Sequence, residues 1–196
     1  MILKPKVILI VSLLFVTQFS FSSTLSPKII LETERMLLRE CILEDAAALA
    51  PMLAHEEVMK YSLHGPMTFE QTQERVRRYI SYYSQHGFGR WAIIHKATKK
   101  VIGYCGLTWA PPIDGQTFIE IGYRLHCDCW GQGLATEIVT AVKKYAFDAL
   151  KIPVLIAVVE PENKGSIRVV EKLGMQFWKQ SEYHHLFVNV YRLAAQ

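Results

Sequence analysis

From about Ile30 onward, two rhythms of apolar and polar residues alternate along the chain. Short runs of β-forming residues read as strands; longer segments with apolar residues every three or four positions read as helices. Leu31–Arg35 leads into a first strand, Met36–Cys41. Glu44–His55 then reads as a helix with Ala47, Ala50 and Leu53 inward, and Pro51 predicts a kink or early stop within it. A second helix starts at Thr68, where Gln71 completes a capping box, and ends near His86 with Gly87 as a left-handed cap. Its apolar face is Phe69, Val76, Tyr79, Ile80 and Tyr83. Gly89–His95 and Val101–Trp109 form strands around the polar turn 96–100, and a Pro-Pro-Ile-Asp-Gly loop follows at 111–115. Val154–Val159 is all apolar, as in a strand buried on both faces. Lys164–Leu173 reads as a helix stopped by Gly174, and Phe177–Gln180 and Leu186–Leu193 as a closing pair of strands. This order predicts an α/β chain with a mixed sheet covered by helices.

Between these flanks lies the stretch that carries chemistry, Phe118–Glu137. It runs from an apolar strand (Phe118, Ile119, Ile121, Tyr123) through a polar turn into Gly131-Gln132-Gly133. A helical rhythm then begins at Leu134, Ile138, Ala141, Val142 and Tyr145. Glycines let backbone approach a ligand, and the free N–H groups of a first helical turn attract an anion. A glycine pair by itself is equally a tight strand-to-helix connection without a ligand.

The spacing goes further. Leu125-x-Cys127-x-x-Trp130-x-x-Gly133-x-Ala135 resembles the acetyl-CoA signature of the GNAT superfamily of N-acetyltransferases, Val-x-Pro-x-x-Arg/Gln-x-x-Gly-x-Gly/Ala. Cys127 and Trp130 depart from it. The Trp, the strand Glu120-Ile121-Gly122-Tyr123, the run Trp130–Glu137 and the phrase Glu32-Thr33-Glu34-Arg35 are similar to the branch of ribosomal-protein N-terminal (alanine) acetyltransferases. The resemblance extends from about Ile30 to the C-terminus. It implies a splayed mixed sheet of about seven strands flanked by about four helices. It also implies acetyl-CoA as cosubstrate, direct acetyl transfer to a primary amine, and no metal.

Carried over residue by residue, Leu125 contributes backbone contacts to the pantetheine arm, with Trp130 and Gly131 in the same loop. Gln132, Gly133, Leu134, Ala135 and Thr136 face the pyrophosphate, although Gln132 reads equally as a solvated loop amide. Asn163 bonds the arm in relatives, and is also a favoured helix N-cap. Glu120, a carboxylate in an apolar strand, is the candidate general base; the competing reading pairs it with Arg124 or Arg90. The tyrosine that many relatives use as thiolate acid falls at Val170, so Ser166 or a water takes that role. Tyr61, Trp91 and Tyr83 are pocket candidates that read more readily as core or rim aromatics, and His184 and His185 as solvated turn residues. The acceptor is a protein N-terminus, as the branch suggests, or a small amine such as a polyamine or aminoglycoside. A non-catalytic acyl-CoA-binding or protein-interaction domain is the rival reading.

Composition adds bounds. Half of the 196 residues are hydrophobic and a fifth are charged, which suits one globular domain. A net charge of +4, partly from Lys4 and Lys6, is too mild to argue for nucleic acid. Residues 1–22, with those lysines before the apolar run Val7–Val16, read as a signal peptide or uncleaved anchor, 23–29 as a linker and 30–196 as the transferase domain. Any membrane contact would come through 1–22, whereas acetyl-CoA as cosubstrate implies the cytoplasm. Cys127-Asp128-Cys129 lacks the second ligand pair of a structural zinc site and reads as small residues filling a loop.

Overall fold

The computed structural model describes residues 26–183 and 186–195. Residues 1–22 and the pair His184 and His185 lie outside them. The strands are β1 (Ile29–Glu32), β2 (Met36–Arg39), β3 (Arg90–His95), β4 (Val101–Trp109), β5 (Ile119–Leu125), β6 (Val154–Val159), β7 (Gln176–Tyr183) and β8 (Leu186–Ala194). The helices are α1 (Asp45–Leu53), α2 (Glu56–Met59), α3 (Phe69–His86), α4 (Leu134–Asp148) and α5 (Lys164–Lys172). One eight-stranded sheet results, ordered β1-β2-β3-β4-β5-β6-β8-β7. Only the β5–β6 pair is parallel, as a strand–helix–strand crossover through α4 requires. The sheet has one strand more than the pattern predicts. β1 falls in a stretch with no alternation to mark it, and is recruited by pairing with β2.

Caps explain several boundaries. Thr68 and Gln71 form the predicted capping box, and Gly87 ends α3 at φ +75° with its N–H on the Tyr83 carbonyl. The face of α1 is shifted from expectation. Ala46, Leu49, Met52 and Leu53 are buried while Ala47 is exposed, because an almost wholly apolar helix leaves periodicity little to choose between. The helix runs past Pro51 and ends at Leu53. In α3, Phe69 is exposed and the buried residues are Thr72 and Val76.

Of three clusters of buried apolar residues among the described ones, the two largest lie on opposite faces of the sheet. On one face α4 and α5 bury Leu134, Ile138, Val142 and Val170 against Trp91, Cys105, Ile121 and Leu155. On the other, α1 and α3 bury Leu49, Leu53 and Val76 against Ala92 and Tyr104. Full burial of each large aliphatic side chain contributes about 1.5–3 kcal/mol, so both helical layers hold firmly to the sheet. The burial pushes the Cys41 and Cys105 thiols up to about 12, which leaves them inert near neutrality. Among the described helices, none is long and apolar enough to cross a membrane.

Candidate active site

The site begins where the sheet comes apart. β6 pairs with β5 only at Ile119↔Leu155 and Glu120↔Ile156. On its other side β5 is paired with β4 along its whole length, from Ile119↔Trp109 to Leu125↔Gly103. The His126 N–H donates to the Ile102 carbonyl at 2.9 Å, which makes Leu125↔Gly103 a non-hydrogen-bonded pair. Tyr123 and Leu125 therefore turn their peptide groups away from β4, toward the space that β6 has left. The Leu125 carbonyl is taken by the Trp130 indole Nε1 at 3.0 Å. The Leu125 N–H and both peptide groups of Tyr123 open on the gap. Trp130, in the place of the usual Arg or Gln, thus closes the loop onto the end of β5 while its ring stays half exposed.

Below the gap, a single 3₁₀ turn (Cys127–Cys129) leads into the glycines. Gly131 and Gly133 sit at φ +72° and +76°, where a side chain is strained. A Cβ at Gly131 would meet nothing within 4 Å, so the turn is open there. The first helical bond of α4 runs from the Glu137 N–H to the Gly133 carbonyl at 3.1 Å, which leaves the N–H groups of Leu134, Ala135 and Thr136 unclaimed by the helix. The Leu134 side chain belongs to the core. The Gln132 side chain donates to the Asp128 carbonyl at 2.8 Å, the loop-amide reading, so only its backbone can serve a ligand. These residues fit a diphosphate.

Arg35 was not legible as part of this turn. Its Nε donates to Glu137 at 2.6 Å, its own N–H to the same carboxylate at 3.0 Å, and Nη1 to the Gln132 carbonyl at 2.9 Å. The β1–β2 turn thereby clamps both the glycine loop and the first turn of α4. Burial pushes the Glu137 carboxyl up, but its bonds to Thr33 and Arg35 outweigh that and hold it below its ordinary value.

Glu120 is the last β5 residue paired to β6, so it stands at the vertex of the gap. Its side chain lies on the α1–α3 face, opposite Thr108, and its Oε1 accepts from Arg90 Nη2 at 3.3 Å. Arg90 also donates to the Gly106 carbonyl at 2.8 Å and Thr108 Oγ1 at 3.1 Å. The Arg90 partner foreseen for Glu120 is therefore present.

Asn163 and Ser166 lie across the gap. Asn163 is the N-cap of α5, accepting the Ser166 N–H at 3.0 Å. Ser166 Oγ lies 3.4 Å from the Tyr123 hydroxyl, a partner the sequence did not single out. Burial pushes the Tyr123 phenol up, so it keeps its proton at neutral pH. Val170 is in the core. Of the aromatic candidates, Trp91 is buried against Tyr145, and Tyr83 bridges the Cys41 N–H and the Arg90 carbonyl. Tyr61 is at the rim, donating to the Glu162 carbonyl at 3.1 Å. In the loop, His126, Cys127 and Asp128 offer ligand atoms within 4.8 Å of one another, but His126 Nδ1 already accepts the Asp128 N–H at 3.3 Å.

The acetyltransferase (GNAT) domain model matches residues 35–176, and the chain belongs to that family. It is 37% identical over 147 residues to the uncharacterized N-acetyltransferase p20 of Bacillus licheniformis, covering 74% of this chain and 82% of the relative. With YoaA of Bacillus subtilis, also an uncharacterized N-acetyltransferase, it shares 32% identity, covering 75% and 82%. An acetyltransferase structure from Agrobacterium tumefaciens superposes with TM-score 0.73 at 26% identity, covering 86% of this chain and 95% of that one. The ribosomal L7/L12 alpha-N-protein acetyltransferase RimL, solved with coenzyme A, shares the fold at TM-score 0.72 and 19% identity, covering 86% and 98%.

Proposed function

We propose that the protein transfers the acetyl group of acetyl-CoA directly to a primary amine. The observation that carries this reading is the gap beside Tyr123, with unpaired peptide groups above an open glycine turn. A pantetheine arm has amide groups that would pair with Tyr123 and Leu125 as an added strand does. Its diphosphate would meet the N–H groups of Gly133, Leu134, Ala135 and Thr136, with the α4 dipole behind them. Asn163, at the start of α5, flanks the arm on the other side.

Transfer needs a free amine and a proton for the departing thiolate. Glu120, at the vertex, holds the acceptor ammonium and takes its proton. Ser166 and Tyr123 supply the hydroxyl that donates toward the thiolate, the role Val170 lacks the chemistry to fill. The RimL likeness supports a protein N-terminus as acceptor. Use of acetyl-CoA supports a cytoplasmic site of action, with 1–22 as the segment that would argue for export or anchoring. The Arg90–Glu120 pair favours a second reading, an acyl-CoA-binding domain in which Glu120 is structural. The test is thermal shift of the full chain with acetyl-CoA, then release of free CoA against a panel of amines and peptides with different N-terminal residues. We expect a shift with acetyl-CoA and CoA release with at least one class of amine. A shift with no release from any amine would establish the binding-domain reading.

A further inference from the structure

The face of the sheet that carries Glu120 has a second feature. A cavity of about 240 Å³ is lined by Arg75, Arg78, Tyr79 and Tyr82 of α3, and by Arg90 and Thr108 of the sheet. Its floor is shared with the vertex, because Arg90 and Thr108 are in contact with each other and Arg90 with Glu120. Nε of Arg75 is buried without a hydrogen-bond partner. A buried donor of that kind is costly unless something completes it. Among the described residues, neither Arg75 nor Arg78 has a carboxylate within ion-pair distance, and Glu120 lies on Arg90.

The charge extends under the cavity. Arg75, Arg90 and Arg124 all act electrostatically on Tyr104, a buried phenol on β4. Burial alone would push that phenol up; the charges of Arg124, Arg75 and Arg90 and the hydrogen bond from Tyr79 act the other way. The guanidinium groups of Arg75 and Arg78 line the cavity with no carboxylate among the described residues to balance them, so the lining holds surplus positive charge. Water-excluded positive charge attracts an oxyanion and repels a second cation. Guanidinium forks match a carboxylate in particular.

From this we infer that the acceptor carries a carboxylate beside its amine, bound by Arg75, Arg78 and Arg90 while the amine reaches Glu120. The inference rests on the acetyl-transfer reading and narrows it. Polyamines and aminoglycosides, as polycations, are disfavoured. Two sources share the required chemistry: a free amino acid, which the small cavity suits, and an acidic first residue of a peptide. Glu120 and the arginines divide the acceptor between them, the carboxylate of the enzyme meeting the ammonium and the arginines meeting the carboxylate of the substrate.

The experiment uses the full chain, acetyl-CoA and matched acceptors: free amino acids against their methyl esters, and peptides starting with Glu against the same peptides starting with Gln. Kcat/KM from CoA release should favour the carboxylate member of at least one pair about 10–100-fold, the range for charge-assisted hydrogen bonds. The favoured pair identifies the source. Arg75→Gln should collapse that ratio toward one, and Arg78→Gln, at an exposed position, gives the same reading if the first variant does not fold. Equal rates within every pair, or preference for the ester or a polyamine, overturns the inference while leaving acetyl transfer intact. If no amine is acetylated, acetyl transfer fails, and the cavity is read by binding alone. N-acetylglutamate should then raise the melting temperature of the wild type more than that of Arg75→Gln, and equal shifts overturn the inference.

Discussion

The two sides of the gap are built differently. The cofactor side comes from one unbroken stretch, Leu125 to Thr136, in which strand end, turn, glycines and helix start follow one another. The acceptor side is assembled from α3, β3, β4 and β5, and its residues meet only because the sheet brings them together. On the readings proposed above, local backbone geometry would make the first an anion site. Charge surplus would make the second one, through guanidinium groups that are scattered along the chain. The two proposed anion sites have different physical bases, and substitutions should separate them.

The largest separation is expected at Glu120, where the two sides meet. Glu120→Gln keeps the shape and the hydrogen-bonding capacity but removes the basic carboxylate. Turnover should fall about 10²–10⁴-fold, with acetyl-CoA affinity nearly intact. The deficit should be largest at low pH, where the amine is protonated, and shrink as rising pH supplies free amine. A pH–rate profile per folded molecule checks this, beside melting temperatures. Parallel profiles with equal rates would assign Glu120 to Arg90 as a structural partner only.

Gly133→Val tests the cofactor side alone. A β-branched residue at φ +76° is strained, and its side chain would approach Arg35 Nη2, which lies 3.6 Å from the Cβ position. Distortion of the turn should weaken acetyl-CoA binding by about 10²-fold or more, given the loss of several backbone contacts to one anion. Titration calorimetry on the folded variant measures it. An unchanged dissociation constant would place the diphosphate elsewhere.

A smaller effect is expected from the proton donor. Ser166→Ala and Tyr123→Phe should each lower kcat about 10-fold, with the double variant little worse than either, since the two hydroxyls act as one unit. Additive losses in a stopped assay of acetyl transfer would show two independent roles.

These sites were legible to different degrees, for physical reasons. The glycine turn was legible because φ demands and spacing are written in consecutive residues. The helix caps Thr68–Gln71 and Gly87 were legible for the same reason. Arg35 was not, since its partner Glu137 lies 102 positions away and any surface arginine has many candidate partners. The arginine cavity was hidden similarly, because the arginines of α3 lie off the apolar face that its pattern marks, and only the sheet shows which of them line a cavity. β1 was missed because edge pairing with β2, rather than its own pattern, makes it a strand. Glu120 lay between these cases: its isolation in an apolar strand marked it, but only the register placed it at the vertex.

The clamp between Arg35 and Glu137 gives the smallest effect, and one whose sign can be worked out. The folded carboxyl of Glu137 is held below its ordinary value of 4.5. Its contribution to stability is therefore fully present above that value, and is lost as pH falls through the lower folded value. Arg35 is 40% exposed, so solvent screens the pair and its contribution is about 0.5–1 kcal/mol. For a chain of this size Glu137→Gln should lower the melting temperature at pH 7 by about 1–4 °C. The difference from wild type should close as pH falls through the lowered folded value, below which both proteins carry a neutral group at this position. Arg35 also holds the Gln132 carbonyl, so a looser clamp should raise the dissociation constant for acetyl-CoA a few-fold while the acid-to-ester preference of the acceptor side keeps its wild-type ratio. Melting curves across pH, with calorimetry at pH 7, test both statements. A temperature difference that widens in acid would mean that Glu137 contributes through its shape and not its charge. A shifted acceptor preference would mean that the two sides of the gap are mechanically coupled through α4 and β5.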